Sequence, residues 1–129
     1  MNRLALILLL VAGTAVSGLA ASRHAPDASD LVGTWSVDLR PTPDAPPYLQ
    51  PMVIAAAEDG RIEGTFYGSA IGQSELNTAW DGVHLAFVTT DASARYVTTA
   101  RLLDGELAGV TYSPDRGLLQ PWRARRAAD

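Results

Sequence analysis

Few side chains in this sequence are equipped for chemistry, and their types point to recognition more than to catalysis. The chain of 129 residues has no Cys and two His. His24 precedes the first periodic segment, which leaves His84 alone, without a second His at metal-ligand spacing. No nucleophile-elbow pattern surrounds any Ser, so a Ser-His-Asp arrangement is not expected either. Glu63 and Glu75 could approach across neighbouring strands as an acid–base pair, but outward phase makes them solvated surface. Glycine loops of the phosphate-cradling kind are missing. The expectation is therefore a non-enzymatic protein with no metal and no cofactor. What remains is a hydrogen-bonding set: Tyr48, Ser69, Gln73, Asp91, Ser113 and Arg116, with Tyr67 and Tyr112 just below them. Such groups could orient a small amphipathic molecule by a few hydrogen bonds over an apolar floor. Tyr48, framed by prolines, and Arg116, on a loop, are residue types common at contacts.

The elements that must position these groups are legible from three Asp-Gly pairs. Asp59-Gly60, Asp81-Gly82 and Asp104-Gly105 fall 22 and 23 residues apart, each between runs that read as strand. The tight two-residue hairpin needs positive φ at both central positions, which Gly adopts freely and Asp better than most. Each repeat is then a strand, a tight turn, a second strand and a looser return. The predicted fold is all-β, an eight-stranded antiparallel up-and-down barrel over residues 31–126. Its strands are 33–39, 52–57, 61–68, 74–80, 83–89, 94–103, 106–112 and 118–125. Residues 40–51 hold five of the eight prolines and read as a stiff loop, since proline cannot donate to a ladder.

In a meander, successive connections alternate between the two ends of the sheet. The three Asp-Gly turns therefore share one end. The proline-rich loop and the connections at 69–73, 90–93 and 113–117 share the other, where a ligand would enter. Trp35, Trp80 and Trp122 fall toward the tight end and are expected to plug it, with an aromatic ligand cage as the alternative. Gly64 and Gly68 take inward phase on the third strand, as if leaving interior space.

Composition narrows the setting. Arg3, an apolar run at 4–11 and small residues to Ala20 have the form of a secretory signal peptide. Cleavage would leave a polar, disordered lead at 21–30 and a secreted or periplasmic, bacterial-type domain with no transmembrane segment. The apolar run is far shorter than the roughly 20 residues a membrane helix needs. All basic residues are Arg, and the net charge of −4 becomes −5 once Arg3 is removed. An acidic domain without a basic stripe is a poor nucleic-acid binder.

Gly33-Thr34-Trp35 after the lead and Trp122-Arg123-x-Arg125 on the closing strand resemble the calycin superfamily, the lipocalin-like and avidin-like small barrels. The resemblance implies a closed barrel in which an Arg of the last strand, Arg123 or Arg125, packs over Trp35. The segment 60–72 is similar to a hairpin and strand of avidins, but the residues after Trp35 lack the avidin biotin contacts, so biotin is not implied. The leading expectation is a barrel binding a small apolar or amphipathic ligand through Tyr48, Tyr67, Ser69, Gln73, Asp91, Tyr112 and Arg116. The alternative partner is an envelope protein, as for a protease inhibitor that inserts its polar lead.

Overall fold

The computed structural model describes residues 26–128. The proposed signal segment and cleavage site lie outside the described residues. The fold is an all-β antiparallel meander of nine strands: β1 (Gly33–Asp38), β2 (Leu49–Glu58), β3 (Arg61–Phe66), β4 (Ser69–Ala70), β5 (Ser74–Asn77), β6 (Val83–Thr90), β7 (Arg95–Leu103), β8 (Glu106–Ser113) and β9 (Leu118–Arg126). The sheet order β4-β3-β2-β1-β9-β8-β7-β6-β5 brings the first and last long strands together at its centre. No helix among the described residues is long and apolar enough to cross a membrane.

The ninth strand arises inside the expected 69–73 connection, where Ser69–Ala70 forms a short strand, and the expected 74–80 strand shortens to Ser74–Asn77. The short β4 pairs with β3, and β5 pairs with β6. The sheet's two edges are thus consecutive in the chain and meet through isolated bonds. Leu76 N donates to Gly60 O (3.0 Å) and Ile62 N to Ser74 Oγ (2.9 Å), while Gly72 and Gln73 extend the β5–β6 ladder through Val88. The sheet therefore curls into a barrel-like shape whose seam is looser than its ladders.

Two of the three Asp-Gly pairs form the expected turns. Asp59 and Asp104 have φ of 53° and 55°, each followed by a positive-φ Gly. Asp81 does not have positive φ: its connection widens to 78–82, where Asp81 accepts hydrogen bonds from Arg101 instead. A third tight turn lies at Tyr67-Gly68, closing β3 onto β4. There Tyr67 takes φ 53°, a conformation that costs an ordinary L-residue roughly 1–2 kcal/mol.

The core lies inside the curl, where alternate residues of each strand face inward. It runs from the tight end to Phe66: Trp35, Val37, Met52, Ile54, Val83, Phe87 and Leu107 are almost fully buried. Burying each large apolar side chain contributes roughly 1.5–3 kcal/mol. Phe66 joins this core edge-to-face with Phe87 and tilted against Trp122. Trp122 NHε1 donates to Thr111 Oγ1 at 3.0 Å.

The tight end is closed by residues expected in a disordered lead. Asp27 caps a 3-10 helix, Ala28–Leu31, through a capping box with Asp30, satisfying backbone donors the turn leaves open. Leu31 is fully buried and its carbonyl accepts from Trp35 NHε1 at 2.8 Å. Over Trp35 lies Arg126, its guanidinium 4.4 Å from the ring centroid, donating to the carbonyls of Val32 (2.6 Å) and Asp30. Arg123 and Arg125 do not take this position. Trp122 and Ala124 are inward, so period-2 alternation puts Arg126 on the same face and its two basic neighbours outside. Trp80, at 74 % exposure in the widened 78–82 connection, is no part of the plug.

The inward glycines make no ligand space. A Cβ on Gly64 would sit 1.8 Å from Val53 O, because the β2–β3 register shifts between Ile54 and Ala56 and draws the backbones together. Gly68 belongs to the Tyr67 turn.

Candidate functional site

Three wide connections, 39–48, 91–94 and 114–117, meet the tight Tyr67-Gly68 turn at one mouth. The 39–48 loop supplies Leu39 and Tyr48, the β3–β4 turn Tyr67, the β6–β7 turn Asp91 and Ser93, and the β8–β9 turn Arg116. Between them opens a cup of about 710 Å³, within the size range of small-molecule sites. Phe66, Thr89, Thr111, Leu118 and Gln120 form its wall and floor, with Phe66 standing on the core rings beneath. The filled core thus ends where the cup begins.

Five of the seven sequence-derived candidates line this cup: Tyr48, Tyr67, Ser69, Asp91 and Arg116. Two do not. Gln73 lies beside the β5–β6 seam; its backbone carbonyl accepts from Val88 and its exposed side chain faces an outer groove. Tyr112 points outward at 49 % exposure, because Thr111 and Ser113 take the inward phase of β8. Ser113 is fully buried with its hydroxyl unpartnered, and it does not line the cup.

Tyr96 was the missed member. It shares the inward phase of Thr98, Ala100 and Leu102 on β7, so continuing that alternation one step toward the mouth would have found it. Thr89 follows Val83, Leu85 and Phe87 in the same way on β6.

Local turns fix the polar groups. Asp91 Oδ1 accepts from Ser93 N (2.8 Å), Ser93 Oγ (2.8 Å) and Ala94 N (2.9 Å). These bonds, with a further one from Tyr96, hold its carboxyl below the usual carboxylate range. Asp115 accepts from Arg95 N at 3.0 Å and so pins the turn that presents Arg116. Arg116 Nη1 donates to Tyr96 Oη at 3.1 Å, with the guanidinium 6.0 Å from the Tyr96 ring centroid. That bond, then the negative charges nearby, raise its already high pKa.

Across the mouth, Tyr48 and Tyr67 share a hydrogen bond between their hydroxyls, with rings T-shaped at 6.2 Å. This bond is the main cause of a raised Tyr67 pKa, and Arg116 pulls in the opposite direction. Tyr48 is itself braced by Asp38, whose Oδ1 accepts from Tyr48 N at 3.2 Å. The Arg40 guanidinium, bonded to Asp38 at 2.6 Å, lowers that carboxyl to about 2. The cup wall is therefore held by ion-paired and capped turns, not by its own lining side chains alone.

Outside the cup, His84 faces outward, with Nε2 2.9 Å from Asp81 O. Among the described residues, no three His, Cys, Asp or Glu side chains gather where they could hold a metal ion.

Fold and site together define a class: a small curled antiparallel barrel, filled at one end and open at the other into a polar, aromatic-rimmed cup. A scan against protein-family models, a search of curated proteins and a search of solved structures each found no match.

Proposed function

We propose that this protein is a non-enzymatic, calycin-like binding barrel that takes a small apolar or amphipathic molecule into the cup at its loop end. The setting proposed with it is a secreted or periplasmic compartment, on the form of the N-terminal segment. The convergence of the 39–48, 91–94 and 114–117 connections and the Tyr67 turn on a single cavity carries the reading. A filled barrel would need no such mouth. The positive φ of Tyr67 adds support, since strained backbone is retained where a side chain must be held in one place. The calycin resemblance gains from the Arg126–Trp35 pair, which fills the role expected of a last-strand arginine.

The alternative, an inhibitor that inserts its N-terminal lead into a protein partner, draws nothing from residues 27–31, which are folded into the barrel's base. Tryptophan emission tests the binding reading, because Trp122 touches Phe66 on the cup floor. Titration with fatty acids, haem and small aromatics should shift or quench emission with saturation for at least one class. A flat response across the panel, together with recovery from the native source without any co-purifying small molecule, would overturn it.

A further inference from the structure

The charged groups of the cup are not balanced in what they have left to offer. Asp91 and Arg116 are the only ionised side chains among its lining residues. The carboxylate of Asp91 is committed: one oxygen takes three hydrogen bonds from its own turn, and Tyr96 gives a further one. The guanidinium of Arg116 carries five N–H donors and makes one side-chain hydrogen bond, to Tyr96. Facing it, the Tyr48–Tyr67 pair uses one hydroxyl proton in its mutual bond and leaves the other to donate. The mouth therefore presents an excess of donors, and its one cation has more hydrogen-bonding capacity left than its one anion. Below them lie Leu39, Phe66 and Leu118, an apolar floor.

Resting on the binding reading above, we infer that the cup takes a small monoanion. The carboxylate or sulfonate of the ligand would sit against Arg116 and the Tyr48–Tyr67 pair, with its apolar or aromatic body on Phe66 and Leu118. Arg116 would act by charge-assisted hydrogen bonding, which is stronger and more directional than a neutral bond. The two tyrosines select against a bulky head because their mutual bond closes one side of the mouth. A neutral molecule of the same shape could use the floor but would leave the remaining guanidinium donors without a charged acceptor from the ligand.

Two fluorescent probes with the same ring system separate the terms: 8-anilinonaphthalene-1-sulfonate, an anion, and N-phenyl-1-naphthylamine, its neutral counterpart. The full folded protein should bind the sulfonate at least about tenfold more tightly. Arg116→Gln should remove that preference and leave the neutral probe unchanged, with circular dichroism confirming the fold. Arg125→Gln, an outer-face arginine paired with Glu106, should leave both affinities alone. Equal binding of the two probes, or loss of the preference in Arg125→Gln as large as in Arg116→Gln, overturns the anion inference while the cup as a binding site stands. Failure of the folded protein to bind either probe overturns both.

Discussion

At the base of the barrel Arg126 lies 4.4 Å over Trp35, and at the mouth Arg116 stands 6.0 Å from Tyr96. The two contacts look alike and serve different ends. Arg126 also donates to the carbonyls of Asp30, within the short helix, and Val32, which caps it, groups that need a donor wherever a helix stops. It ties the N-terminal segment, the first strand and the last strand into one unit. Arg116 ties down a single phenol and nothing of the backbone. The base has used its polar groups to close a structure. The mouth keeps donors in reserve, which stability alone gives no reason to retain. The same split runs through the rings: those at the base are buried, whereas Tyr48 and Tyr67 are about half exposed.

Truncation should show that split most strongly. Trp35→Ala removes a nearly fully buried indole and its bond to Leu31, and should cost about 3–5 kcal/mol in urea unfolding. Tyr48→Ala at the mouth should cost under about 1 kcal/mol. Comparable losses would mean that the mouth is as much a part of the stable core as the base. Next in size is Gly109→Ala. An added Cβ would fall 2.3 Å from the Trp122 indole directly across the ladder, and overpacking of that kind costs about 1–3 kcal/mol. An unchanged Tm would mean that the indole can move, and with it Phe66 and the cup floor. The arginines themselves come third. Arg126→Gln should lose about 1–2 kcal/mol through the cation–π contact and the carbonyl bonds, while Arg116→Gln should stay within about 0.5 kcal/mol of the parent.

How far the sequence foretold each region follows from which physical rule governs it. Period-2 alternation and turn chemistry located the strands to within a few residues and put the loops of the mouth together, because both depend on neighbouring residues only. Five cup residues followed from that placement. Tyr112 and Gln73 lie outside the cup because inward phase, not nearness to the rim, decides which side chains face it. Applying phase strictly would also have exchanged Arg123 and Arg125 for Arg126, and brought in Tyr96. Other features were beyond any local rule. The split between β4 and β5 depends on where the curled edges meet, and the bulge at Gly64 on a backbone approach between strands. Ordering of residues 27–31 required knowing that Leu31 has a buried place to go. Tyr67-Gly68 was hidden for a different reason: tyrosine is a poor occupant of a position that favours Asn, Asp or Gly, so composition argued against the turn that formed.

That poor choice allows the smallest and most direct test of the contrast between base and mouth. Tyr67→Asn places the preferred Asn-Gly pair in the β3–β4 turn, relieving roughly 1 kcal/mol of left-handed strain. It also gives up the hydroxyl bond to Tyr48, whose net worth at an exposed site is about 0.5 kcal/mol. Stability should therefore rise by about 0.5 kcal/mol, or a few degrees in Tm, while affinity for the anionic probe falls. Tyr67→Phe separates the two effects, since it keeps the strain and loses the bond, and it should be slightly destabilised. A more stable Asn variant that binds less well is what a mouth shaped for a ligand requires. If Asn instead lowers Tm as much as Phe does, Tyr67 is held by packing that outweighs its strain. The mouth would then be another closed end, built on the same terms as the base.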